Sequence, residues 1–260
     1  MGNFFSLVQN ENMKIYRRVR TWVMLGILVA VNLLIPVLFS MVDSGGNTSM
    51  WDSVVLSSTF TFFLCTIFSV IIAADSVAGE FSWGTIKLLL IRPWSRSKIL
   101  LSKYVSVVLF SLLCTVLLAG VSILISGILF SGDSGTGMFP PGKSGLAFTL
   151  EYILCAYVNL FITVAIAFML STVFRAGGLA IGLALFIMFT KGIFTTLFNP
   201  ERYVWAKYLI FTHMDLTTYM QNDVGPGGIT LGFSLAVLAV YYIVFLAISW
   251  YVFNKRDVAA

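Results

Sequence analysis

Residues 104–130, YVSVVLFSLLCTVLLAGVSILISGILF, contain no acidic, basic or histidine side chain. An α-helix rises about 1.5 Å per residue and the bilayer hydrocarbon core is about 30 Å thick, so about 20 apolar residues cross it. This run exceeds that length and predicts a spanning helix that tilts or projects beyond the bilayer. Working outward, five further stretches qualify as spans: 22–41, 54–74, 152–174, 179–198 and 229–253.

Composition agrees with this reading. Hydrophobic residues make up 59% of the chain and charged residues 10%, whereas soluble domains carry roughly a quarter charged residues. The expected fold is an all-α integral membrane protein of six transmembrane helices, forming one transmembrane domain over 1–260. No soluble domain fits between the spans. The first apolar run is long enough to span and lacks a small-residue cleavage site, so no cleavable signal is expected. Lipid is the implied surrounding partner.

The net charge of +5 could suggest nucleic acid, but the basic residues flank apolar spans, which points to membrane topology instead. Lys14, Arg17, Arg18, Arg20, Lys87, Arg92, Arg96, Lys98, Lys103, Arg175, Lys255 and Arg256 fall on one side. The other side holds Lys143, Arg202 and Lys207, and Lys191 lies within the fifth span. Twelve against three places both termini in the cytoplasm of a cell-membrane protein. The carboxylates Asp43, Asp52, Asp133, Glu201, Asp215 and Asp223 fall in the expected outer loops.

Two segments are amphipathic without spanning. Phe4, Leu7, Val8, Glu11 and Ile15 share one helical face ahead of the basic run, predicting an N-terminal interfacial helix. Residues 201–223 mix Tyr203, Trp205, Tyr208, Phe211 and Tyr219 with charges. They predict short helices of a re-entrant outer segment before the sixth span.

Several motifs lack the chemistry they suggest. Residues 137–144, GMFPPGKS, match the phosphate-loop pattern, but Pro140 and Pro141 remove two of the backbone donors that would cradle phosphate. Gly132-Asp-Ser-Gly135 resembles a serine nucleophile turn, yet the sole histidine, His213, lies in another segment. His213 and Asp215 alone fall short of a metal site. Cys65, Cys114 and Cys155 sit in apolar runs and read as small core residues. Met1-Gly2 with Ser6 fits a myristoylation pattern and Asn47-Thr-Ser49 a glycosylation sequon. Gly178 and Gly182 suggest a small-residue face for helix packing.

The stretch 75–103, DSVAGEFSWGTIKLLLIRPWSRSKILLSK, carries the functional signal. Val77, Phe81, Gly84, Leu88 and Ile91 recur at helical spacing, predicting a surface helix over about 76–92. Pro93 ends it, and Ser95 can cap the helix that becomes the third span. A span, a rigid surface helix, a turn and another span can transmit force from a cytoplasmic partner. The same stretch can equally be an interfacial loop that obeys the positive-inside rule.

This stretch resembles the coupling region of type-2 ABC exporter permeases, whose pattern is met here by Glu80, Gly84, Thr85, Leu89, Leu90, Pro93, Ser95, Arg96, Ile99 and Lys103. Glu11 and Lys14 near the start, and 253–257 (FNKRD), are similar to the ends of that family. The resemblance implies a permease subunit that binds no cofactor itself, paired with a second permease copy or paralogue. Cytoplasmic ABC ATPase subunits would carry ATP and Mg. The expected activity is outward transport of a peptide, antibiotic, drug or lipid. The resemblance places Glu80, Gly84, Thr85 and Arg96 at the ATPase contact. Each could instead cap or pack its own helix.

Lys191 is the basic residue well inside a span. It either snorkels outward or faces a protein interior or pathway, where Glu151 is a candidate partner. A secondary transporter or channel is the alternative reading, though such proteins more often show several intramembrane acids or broken helices.

Overall fold

A computed structural model describes residues 4–42, 49–86, 94–130, 143–174, 176–220 and 224–255. Helix α1 covers Phe4–Tyr16, α2 Val19–Val42, α3 Met50–Ser82, α4 Arg96–Leu129, α5 Gly145–Val173 and α6 Gly177–Leu197. Two 3-10 turns, Val204–Tyr208 and Leu216–Met220, flank the four-residue α7, Ile210–His213. Strands β1 (Val224–Gly225) and β2 (Ile229–Thr230) form an antiparallel ribbon that leads into α8, Leu231–Lys255. Among the described residues, six helices, α2 to α6 and α8, are long and apolar enough to cross a membrane. All six expected spans are present.

Local chemistry fixes two of the helix starts. Ser49 and Asp52 form a reciprocal capping box on α3, each side-chain oxygen accepting the other's amide at 3.2 Å. The Ser144 hydroxyl accepts from the amide of Ala147 at 3.3 Å at the head of α5. Such caps satisfy helix-end donors and are worth about 1 kcal/mol each. Ser95 holds the cap position of α4, but its side chain makes no capping bond.

Helix α3 is the hub and packs on α2, α4, α5 and α6. Its Cys65, Val70, Ala73 and Ala74 meet Phe110 and Cys114 of α4 and Leu160 and Val164 of α5 in the core. Cys65 and Cys114 are free and buried, as expected of small core residues. Outward faces are apolar, with Phe186, Phe189 and Ile193 of α6 and Val240 and Ile243 of α8 exposed. In lipid such faces give helices no reason to associate, so close packing and interhelical hydrogen bonds must hold the bundle.

Both devices are present. Ser57 donates to Ser122 at 3.2 Å, Ser122 donates to Asn32 Oδ1 at 2.7 Å, and Asn32 Nδ2 donates to the Leu118 carbonyl at 2.8 Å. That seam ties α2, α3 and α4 with bonds of roughly 0.6–2 kcal/mol each. The small-residue face of α6 is Gly177, Ala180 and Ala184, which are buried. A Cβ on Gly177 would lie 3.7 Å from the Gly79 backbone. Gly178 and Gly182 face open space instead. The face therefore sits one residue away from the expected one.

The largest departure from expectation is at 75–92. The backbone does not break after the span. Helix α3 runs on to Ser82 because Val77 and Ala78 continue its buried face. The stop comes at Trp83 and Gly84, where Gly84 adopts φ +70. A glycine in this left-handed region is a common helix terminator, since it carries no Cβ penalty. Gly84 thus lies just past a helix end, not inside a surface helix. Ile86 is helical again, and 87–93, with Lys87, Arg92 and Pro93, lies outside the described residues. At 33 and 34 residues, α3 and α4 are each about 50 Å long, well beyond a hydrocarbon core of about 30 Å.

Helix α1 forms as expected, with Leu7, Val8 and Glu11 buried. What this face covers is the protein itself: α1 lies on α4, and Ser106 donates to the Val8 carbonyl at 3.1 Å. The segment 201–220 forms short helical turns whose His213, Met214, Leu216 and Met220 are buried. Its aromatic contacts include Phe211 stacked on Phe194 at 4.8 Å.

Candidate functional site

One end of the bundle gathers α1, the close of α3, the start of α4 and the end of α8. Arg96 Nη1 donates to the Asn254 carbonyl there at 3.1 Å, and Asn254 Nδ2 donates to Ser97 at 3.3 Å. We call this the proximal end. A charge cluster sits inside it.

Lys103, in the second turn of α4, has a side chain only 1% exposed. Its ammonium donates to Glu11 Oε2 at 2.8 Å and to Glu80 Oε1 at 2.6 Å. Lys14 closes the square, donating to Glu11 Oε1 at 2.6 Å and Glu80 Oε1 at 2.9 Å. The second oxygen of Glu80 is buried and has no partner among the described residues. One turn up α3, Asp75 accepts from both Arg18 and Arg20. Arg18 also lies over the Trp83 ring, 4.8 Å from its centroid. The cluster welds α1 and the α1–α2 corner onto α3 and α4.

Burial alone would raise the Glu11 carboxyl pKa, but the ammoniums of Lys103 and Lys14 outweigh it and hold it below 4.5. Burial would likewise lower Lys14, yet Glu11 and Glu80 hold it above 10.5. The sign of each contribution follows from linkage. Glu11 stabilises the fold fully above its unfolded value near 4.5, and that contribution is lost as pH falls through its lower folded value. Lys14 stabilises fully below 10.5 and loses its contribution as pH rises through its higher folded value. Thermal denaturation of the detergent-solubilised protein from about pH 7 to 3 should show an acid-side loss that flattens in Glu11→Gln. An unchanged acid limb in that variant would remove Glu11 from the network.

The residues expected at the ATPase contact divide into two groups. Glu80 points inward to Lys14 and Lys103, and Arg96 bonds its own C-terminal helix. Thr85 and Gly84 are exposed with Trp83 on the turn, and Thr85 donates to the Glu80 carbonyl at 3.4 Å. Sequence reasoning passed over the Glu11–Lys103 pairing. The available signal was an acid on the otherwise apolar face of α1, which requires a buried counter-charge.

Ser171, fully buried near the end of α5, inserts into the ladder of α3. Its hydroxyl donates to the Ala74 carbonyl at 2.6 Å and accepts from the amides of Val77 and Ala78 at 3.1 and 2.9 Å. In an ideal helix the Ala74 carbonyl serves Ala78.

A cavity of about 290 Å³ lies away from this end, between α3, α5, α6 and the 3-10 turn after α7. Thr59, Tyr152, Asn159, Lys191 and Asp215 line it, beside Phe62 and Phe63. Lys191 therefore faces a protein crevice. Glu151 is not its partner: that carboxylate pairs with Lys143 at 2.6 Å in an exposed bridge. His213 is also committed. Its Nε2–H donates to the Lys207 carbonyl at 2.8 Å, so Nδ1 accepts from Ser234 at 2.7 Å, which in turn accepts from Tyr219 at 2.7 Å. Residues 132–135 and 137–142 lie outside the described residues.

Six helices long and apolar enough to cross a membrane, among the described residues, define a multi-pass membrane protein. The chain belongs to the family described as "Protein of unknown function (DUF2705)", whose model matches residues 19–259. It is 39% identical over 227 residues to the uncharacterized protein YhcI of Bacillus subtilis (strain 168), covering 84% of this chain and 72% of that protein. It is 31% identical over 194 residues to the uncharacterized membrane protein YdbK of the same organism, covering 73% and 76%. A more distant relative, 27% identical over 216 residues with 78% and 77% covered, is the probable ABC transporter permease protein NosY of Stutzerimonas stutzeri.

Proposed function

We propose that this chain is the membrane permease subunit of an ATP-driven ABC exporter, with both termini in the cytoplasm. A second permease copy or paralogue completes the membrane unit, and two separate ATPase chains bind and hydrolyse ATP with Mg. The kinship with a probable ABC permease and the pattern from Glu80 to Lys103 support this reading. The observation that carries it is the Trp83–Thr85 turn, which is exposed at the tip of a braced span-to-span connection. The proximal end then faces the cytoplasm, and the exposed turn is the part that an ATPase docks against. Glu80 and Arg96 act from behind, as braces of the docking turn.

Mild purification of the chain from its own membranes, followed by identification of the ATPase chains that accompany it, tests this directly. A stable complex is expected, with ATP hydrolysis that responds to the permease. Reporters fused after Ala260 or inserted near Trp94 should read cytoplasmic, and one inserted near Gly135 external. An external reading at Trp94, or an ATPase that never associates, would overturn the proposal.

A further inference from the structure

The crevice around Lys191 has polar capacity that the protein leaves unused. Its hydroxyls are committed: Tyr152 donates to Thr59 at 2.9 Å, Thr59 to the Val55 carbonyl at 2.9 Å, and Thr163 to the Asn159 carbonyl at 2.8 Å. Among the described residues the Lys191 ammonium has no hydrogen-bond or ion-pair partner, so its three N–H donors remain. Asn159 Oδ1 is buried without a partner. Asp215 spends Oδ1 on the amide and hydroxyl of Thr217, at 3.2 and 2.6 Å, and keeps Oδ2. The groups without a protein partner among the described residues are thus one cationic donor, the buried Asn159 oxygen and the exposed anionic Oδ2 of Asp215. Their complement is a molecule that carries an anion and an N–H-bearing cation together.

Two further features select the body attached to that head. The crevice, at about 290 Å³, is at the small end of ligand pockets, which run from roughly 300 to 1,000 Å³. It has room for a headgroup, not for a length of peptide. One wall is Phe63, which is 51% exposed and meets Phe189 at 5.9 Å on the outward apolar face of α3 and α6. An acyl chain leaving the crevice would lie on that face without crossing polar surface. An ionisable group inside a span is costly unless it serves a partner.

We propose that the Lys191–Asn159–Asp215 crevice binds the phosphate–ammonium headgroup of a membrane aminophospholipid. The phosphate meets Lys191, and the ammonium meets Asp215 and Asn159. This site does not depend on the transport reading above.

Native mass spectrometry of the full chain, exchanged into equal amounts of phosphatidylethanolamine, phosphatidylcholine and phosphatidylglycerol, tests it. Phosphatidylethanolamine should be retained about tenfold over both competitors, since one lacks N–H donors and the other lacks the cation. Lys191→Met should lower that retention about tenfold, and Lys191→Arg should keep it. Asp215→Asn preserves an acceptor for Thr217 and lies at an exposed position, so it tests the ammonium contact even where Lys191→Met folds poorly. It should abolish the preference over phosphatidylcholine. Equal retention of the three lipids, or a preference that both variants leave intact, would overturn the proposal. So would glycerophosphoethanolamine, which lacks acyl chains, competing as well as the lipid, because the crevice would then take a soluble zwitterion.

Discussion

Lys103→Met should destabilise the protein by about 3–5 kcal/mol, the range for breaking a buried ion pair by removing one partner. The side chain is 1% exposed and bridges Glu11 and Glu80, whose side chains are 9% and 11% exposed. Without it two carboxylates share one space with only the more exposed Lys14 between them. Thermal denaturation in detergent should show a midpoint lowered by roughly 10 °C, at a few degrees per kcal/mol for a chain of this size. The control separates charge from volume. Adding Glu11→Gln and Glu80→Gln to Lys103→Met removes the stranded charges and should restore most of the loss, because neutral replacement of a buried pair is often tolerated. A single variant as stable as the parent would mean that water reaches the cluster and that it braces nothing.

Trp83→Asp combined with Thr85→Arg should abolish stable association with the proposed ATPase partner while leaving membrane abundance unchanged. Trp83 is 67% exposed, and buried tryptophans at interfaces commonly contribute 2 kcal/mol or more, about 30-fold in affinity. Neither side chain belongs to the bundle core, so insertion and folding should persist. Glu80→Lys is the poorer probe despite its place in the family-like pattern. It would set a third ammonium beside Lys14 and Lys103 and unfold the corner that presents the turn. The measurements are ATPase stoichiometry after purification, ATP-driven transport, and the amount of permease in the membrane. Unchanged association and transport at normal abundance would show that the turn is not the dock, and would remove the observation on which the permease assignment rests.

The spans were legible because lipid imposes one constraint everywhere: about 20 residues without charge. The ends of α3 and α4 were not, because charge marks where the hydrocarbon stops and says nothing about where the helix stops. At 75 the sequence turns polar on one side, yet Val77 and Ala78 keep the buried face going to Ser82. Gly84 was visible as a residue of interest, but its role depends on a dihedral angle that its spacing from Val77 and Phe81 obscures. The partner of Glu80 was hidden for a different reason. Glu11 and Lys103 are brought to it by the packing of α1 on α4, which no local pattern encodes. The same applies to Lys191: its crevice is closed by Asp215, from a segment whose path depends on His213 and Ser234 meeting inside the bundle.

The Ser171 hydroxyl has one more implication. Three hydrogen bonds meet on that single oxygen, two from the amides and one to a carbonyl of α3, at the level where the hydrocarbon-length part of the helix passes into its charged extension. A long helix pushed at its tip would ordinarily flex where its ladder is loosest. Here residues 74–78 are bonded to the neighbouring helix, so that stretch cannot open without pulling α5 along. Gly177 amplifies the effect, since its amide donates to Ser82 at 3.0 Å and fastens the head of α6 to the same stretch. A displacement delivered at residues 83–85 would therefore pull on α5 and α6 as well as on α3.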